Sequence, residues 1–117
     1  MAAMGLAESA DAWDLFLAVV TEFPDDAEAL HWLLRAGTAL ERWGQLEPLL
    51  SQYVSRNPGD LSLRFALAGV FLRLNRRTDA RHEYDSIRLL DPAFDGLSSL
   101  ASAIDESESV LAHHHAA

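Results

Sequence analysis

The sequence predicts an all-α chain of about six helices, paired antiparallel and stacked into a right-handed superhelix, an α-solenoid. Three observations predict it. Apolar residues follow a helical period in the segments between breaks. The breaks recur at one constant interval, from Pro24 to Pro58 and again from Pro58 to Pro92, and these are three of the chain's four prolines. Each break also carries residues that end one helix and open the next, in Phe23-Pro24-Asp25-Asp26, Asn57-Pro58-Gly59-Asp60 and Asp91-Pro92-Ala93-Phe94.

The expected helices cover about 9–22, 27–42, 46–56, 60–74, 78–90 and 94–111. In the first, Trp13, Phe16, Val19 and Val20 should pack on the second pair. The second opens at Asp25, which has capping-box spacing to Glu28. In the fourth, Leu63, Leu67, Val70, Phe71 and Leu74 line one stripe, and in the fifth Ala80, Tyr84, Ile87 and finally Leu90 line another. Asn75, between Leu74 and the Arg76-Arg77 pair, suits a left-handed turn. The last helix places Leu97, Leu100, Ala101, Ile104 and Leu111 on one side. Ser98, Ser99, Ser102, Asp105, Glu106 and Glu108 fall on the other, as in the terminal cap of a solenoid.

The residues resemble the tetratricopeptide repeat (TPR) family, in its bacterial style. That pattern is W-x2-L-G-x2-Y, then A-x3-F, then P, over about 34 residues, which is also the interval between the prolines here. The last full repeat reads Arg64-x2-Leu67-Ala68-x2-Phe71, then Ala80-x3-Tyr84, then Pro92, lacking only the opening aromatic. The first survives as its second half, Ala12-x3-Phe16 and Pro24. The middle repeat allows two registers. The strict spacing gives Leu46-x3-Leu50 and Pro58. The other gives Leu33-x2-Ala36-Gly37-x2-Leu40, a turn at Gly44, and Leu49-x3-Tyr53. The second has better residue types, and its Gly37 would let paired helices approach. Pro48 suits the first turn of the following helix in either register. The resulting organisation is an N-terminal segment 1–8, repeats over 9–95 (a half repeat 9–25 and full repeats 26–59 and 60–93), a capping helix 94–111 and a disordered tail 112–117.

Composition bounds the function. The net charge of −9 argues against nucleic acid as the main partner, because phosphate neutralisation needs a basic face. No apolar run is long enough to span a membrane, and Met1-Ala2-Ala3-Met4 does not open a signal peptide, so a cytoplasmic location is expected. The absence of cysteine excludes disulfides and thiolate metal sites. All nine bases are arginine. Residues 1–30 carry seven acids and no base, whereas residues 56–90 carry seven arginines against four acids. These charges are solvated surface, or the two ends attract something, each other included.

No catalytic constellation is found, so no enzyme activity and no cofactor are expected. His113-His114-His115 is the one metal-like element, and it reads as a loose tail rather than a metal site. His31 and His82 read as single surface residues. The resemblance implies a protein-interaction module in which the first helix of each pair lines a concave groove holding a peptide or partner protein. The groove residues would be His31, Arg35 and Arg42 from one repeat, and Phe65, Gly69, Leu72 and Arg73 from the next. Phe65 and Leu72 lie off the apolar stripe, so beside the arginines they would hold a peptide with an apolar anchor and an acidic group. Alternatively, the last helix folds back and buries both. Repeats that clamp the acidic tails of heat-shock chaperones use groove lysines and asparagines. With no lysine, and with Asn57 and Asn75 at turns, that clamp is not carried over.

Two further functional readings stand. One is an accessory TPR domain of a larger bacterial enzyme: a glycosyltransferase, methyltransferase or polysaccharide-export protein. The other is a self-assembling scaffold. Residues 1–8 are too short to supply the first repeat's partner helix, which implies a natural half repeat or a cut chain. That leaves an expected apolar edge at Trp13 and Leu15, through which a homo-oligomer could form.

Overall fold

The computed structural model describes residues 6–116, and the side chains of residues 7–106. It contains α1 (Leu6–Glu22), α2 (Ala27–Ala39), α3 (Trp43–Arg56), α4 (Leu61–Arg73), α5 (Arg77–Leu90) and α6 (Leu97–Ala116). No strand occurs among the described residues, and no described helix is long and apolar enough to cross a membrane. The helices form two compact units, Met1–Asn57 and Pro58–Ala117. Neighbouring helices pack within each: α1 on α2 and α2 on α3 in the first, α4 on α5 and both on α6 in the second.

The local chemistry repeats at the proline interval. Asp26 caps α2 by accepting from the Ala29 N–H at 3.1 Å, and Asp60 caps α4 by accepting from the Leu63 N–H at 3.2 Å. Each carboxylate satisfies a first-turn amide that has no intrahelical acceptor. The expected cap Asp25 instead faces the end of α3. Both helix pairs turn through a left-handed residue, Glu41 at φ 56° and Asn75 at φ 60°. Burial repeats as well: Ala29, Leu33, Ala36 and Gly37 of α2 are buried, as are Leu63, Leu67, Val70 and Phe71 of α4.

The turn expected at Gly44 is corrected. The chain reverses at Leu40–Arg42, while Gly44 lies exposed inside α3. Leu46 and Leu50 are fully buried at the positions the strict spacing assigns. Pro48 is also moved, from a first turn to the sixth residue of α3, where it deprives the Gly44 carbonyl of its helical donor.

In the first unit the core gathers Trp13, Val20, Leu30, Leu33, Leu46, Leu50, Tyr53 and Val54. At Gly37 of α2, side chains of α1 and α3 close on the backbone. A Cβ there would stand 2.7 Å from Leu46 Cδ1 and 2.7 Å from Trp13 Cζ3. The turn before α2 is tied to the end of α3, since Arg56 Nε donates to Asp25 Oδ1 at 2.8 Å and Asn57 Nδ2 donates to the same oxygen at 3.1 Å.

In the second unit Leu63, Leu67, Val70 and Phe71 meet Ala80 and Ile87, and α6 closes the core with Leu97, Leu100 and Ile104. The wet side of α6 is as expected, with Ser98, Ser99, Ser102, Asp105 and Glu106 at least partly exposed. Leu111 and Glu108 lie outside the described side chains. The stripe of α5 does not continue to Leu90, which is 58% exposed; Glu83 joins it instead, at 8%. Gly96, at φ +101°, starts α6 later than expected and takes a backbone shape that other residues avoid. The helix continues to Ala116, through most of the segment read as a tail.

Candidate functional site

Two of the expected groove residues on α2 and two on α4 occupy equivalent places, one repeat apart. His31 corresponds to Phe65 and Arg35 to Gly69. Each set belongs to one line along its helix, at i, i+4 and i+7. The α2 line is His31, Arg35 and Thr38, and all three are exposed. The α4 line is Phe65, Gly69 and Leu72, with Gly69 exposed and the other two half-buried. Thr38 was missed from sequence, although its equivalence to Leu72 points to it.

On α2 the line has an aromatic flank that sequence reading also missed. Trp32 is 39% exposed and stacks on Phe16 of α1, with ring centroids 6.1 Å apart and planes inclined by 16°. The Arg35 guanidinium lies 5.1 Å from the centre of the Trp32 ring. This cation–π contact holds the cation over the ring and leaves it open to an anion.

Arg42 does not belong to this face. It lies in the turn between α2 and α3, half-buried, with its guanidinium 5.1 Å from the centre of the Trp13 ring. Its equivalent Arg76 stacks in the same way on Phe71, at 4.7 Å. Both arginines fasten a turn to an aromatic core residue. Trp13 itself is corrected as an edge residue. It is 3% exposed because Gly37 makes room for its ring among α1, α2 and α3. Of that expected edge only Leu15, 60% exposed, remains at the surface.

No family model, curated protein or solved structure matches the chain. Inference therefore rests on its own geometry.

On α4 the connection to α6 covers part of the line. The Phe65 ring packs on Phe94 with centroids 5.7 Å apart, and a Cβ on Gly96 would stand 3.0 Å from Phe65 Cζ. Phe65 is thus engaged by its own chain. Beyond it, a Cβ on Gly69 would meet nothing within 4 Å, and Arg73 is exposed one turn further on. The exposed residues of this part of α4 are Gly69 and Arg73.

Arg64 Nε lies 3.4 Å from Glu83 Oε1, and both side chains are largely buried, a charged pair between α4 and α5 in the second unit's core. Burial pushes the Glu83 carboxyl above its ordinary value, and Asp79 adds to that, while Arg64 and His82 pull it down. Asp25 is held below its ordinary value by hydrogen bonds from Arg56 and Asn57. His31 and His82 are exposed. The side chains of His113, His114 and His115 lie outside the described residues.

Proposed function

We propose that the chain is a TPR-type interaction module that binds a peptide or partner protein through the outward line of α2, with the line of α4 a separate recognition surface of the second unit. The observation that carries this reading is the recurrence, at the proline interval, of the same helix-turn-helix chemistry, with the line of α2 fully exposed and that of α4 exposed at Gly69. Caps at Asp26 and Asp60, left-handed turns at Glu41 and Asn75, and matching core positions support the family resemblance independently of its consensus letters. Core positions are consumed by packing, so recognition falls to the exposed ones. His31, Arg35 and Thr38 offer a cation and polar donors beside Trp32, which suits an acidic residue next to an apolar one. On the second unit, exposed Gly69 offers a close backbone approach.

Selection of displayed random peptides on the full chain tests this. Enriched sequences should carry an acidic residue beside an apolar one, and Arg35→Glu should abolish their binding while leaving helix content unchanged. Enrichment without acidic residues, or binding indifferent to Arg35→Glu, would remove α2 as the recognition face.

A further inference from the structure

The chain contains its own comparison for α1. Helices α1 and α5 are equivalent, two repeats apart: Ala12 matches Ala80, Leu15 matches Glu83, Phe16 matches Tyr84 and Val19 matches Ile87. On α5, Ala80, Glu83 and Ile87 are buried, because α4 lies against that helix. On α1 the same positions are open: Ala12 and Val19 are not fully buried and Leu15 is exposed. No described helix stands to α1 as α4 stands to α5. The strip of Ala12, Leu15, Phe16 and Val19 is apolar throughout, with Leu15 exposed and the other three half-buried, and the Phe16 ring stacks on Trp32.

The rim of this strip has one sign of charge. Glu8, Asp11 and Glu22 are exposed and share the helix line of Leu15, at i, i+3, i+7 and i+14. Residues 1–30 hold seven acids and no base. Two copies meeting face to face through α1 would present the same patch to each other, as any two-fold interface does, and would set these acids against acids.

We infer that the Ala12–Leu15–Phe16–Val19 strip of α1 is a docking site for one amphipathic helix of a partner protein, packed as α4 packs on α5, with an apolar seam flanked by arginine or lysine. The seam replaces water over Leu15 and Val19, and the basic flank meets Glu8, Asp11 and Glu22. This surface is distinct from the α2 and α4 lines and does not depend on them.

The probe is a labelled synthetic peptide of residues 60–76, the α4 segment. It carries the seam Leu63, Leu67, Val70 and Phe71, and Arg64, Arg73 and Arg76 against the single acid Asp60. Its fluorescence anisotropy is titrated with the full chain at low salt. Binding is expected. Leu15→Asp should weaken it by about tenfold or more, since a buried leucine side chain contributes on that scale. Leu15 is already at the surface, so the variant keeps its fold, which circular dichroism checks. A peptide with its three arginines changed to glutamate should bind far more weakly, as should the native peptide to Asp11→Arg. Arg73→Ala in the protein should leave binding unchanged, which separates this site from the proposed groove. Equal binding by Leu15→Asp, or by the charge-reversed peptide, overturns the inference. So does light scattering that shows a dimer which Leu15→Asp dissolves, because a second copy would then occupy the strip.

Discussion

Adding one methyl group at Gly37 and at Gly69 should move stability in opposite directions. Both glycines lie inside helices, α2 and α4, that hold equivalent places in their repeats, so alanine improves helix propensity in each, by about 1 kcal/mol. At Gly69 nothing stands within 4 Å of the new Cβ, and the gain is realised in full. At Gly37 the Cβ would sit 2.7 Å from both Leu46 Cδ1 and Trp13 Cζ3, and 2.9 Å from Leu46 Cγ. Neither side chain can step aside, because both are core residues wedged among α1, α2 and α3. Overpacking of this kind costs about 1–3 kcal/mol, which outweighs the propensity gain through most of that range. Gly37→Ala should therefore lose up to about 2 kcal/mol while Gly69→Ala gains up to about 1 kcal/mol. Urea unfolding measures both. Tryptophan fluorescence follows the first unit alone, since Trp13, Trp32 and Trp43 all lie in it, and far-ultraviolet circular dichroism follows both units. If Gly37→Ala stabilised the first unit as Gly69→Ala stabilises the second, the close approach of the three helices would be refuted.

Asp26→Ala should lower the stability of the first unit, and Asp60→Ala that of the second, by about 1 kcal/mol each in urea unfolding, because each leaves a first-turn amide uncapped. Ser9 is fully buried and its hydroxyl has no hydrogen-bond partner among the described residues, so Ser9→Ala should stabilise the first unit by roughly 1 kcal/mol in fluorescence-detected unfolding. Glu83 has a raised folded pKa, so its contribution to stability is present below the ordinary value of 4.5 and is lost as the pH rises through the folded value. Glu83→Gln should match the parent near that lower pH and exceed it at neutral pH, in melts followed by circular dichroism. Asp25 works in the opposite sense, with a contribution present above 3.8 and lost as the pH falls through its lowered value, and Asp25→Asn should remove it.

The helices were legible because their punctuation is chemical. Proline at 24, 58 and 92 cannot continue a helix, and Asp26 and Asp60 offer short acceptors where amides are free. The middle turn was not legible by residue type, because glutamate does not favour the left-handed backbone that Glu41 takes, whereas glycine, present nearby as Gly44, tolerates it for want of a side chain. Only the count decides it, since Glu41 stands one repeat before Asn75. Trp13 was misplaced for a different reason. A helix period shows which residues share a face, but the depth of a tryptophan depends on whether its neighbours leave a hole, and Gly37 leaves it. Phe65 was half readable: its position off the stripe was plain, while its cover by Phe94 and Gly96 depends on a turn that no local pattern announces. Glu83 in a core stripe is explained by its partner Arg64, whose Nε lies 3.4 Å from Glu83 Oε1.

Equivalent positions that differ in chemistry say more about recognition than those that agree. Buried pairs such as Ala29 with Leu63, or Ala36 with Val70, differ only in size and serve packing. The outward pairs differ in kind: His31 with Phe65, Arg35 with Gly69, Thr38 with Leu72. One line is polar and cationic, and the other is apolar with a bare backbone at its centre. Two such lines, each on its own unit, do not favour the same ligand residue: the α2 line suits an acidic feature and the α4 line an apolar one. Exchanging Arg35 and Gly69 within one chain would preserve composition and net charge while moving the cation to the other helix. A partner that reads the two lines separately should lose binding to that exchange as fully as to Arg35→Glu, whereas one held by net charge alone would not notice it.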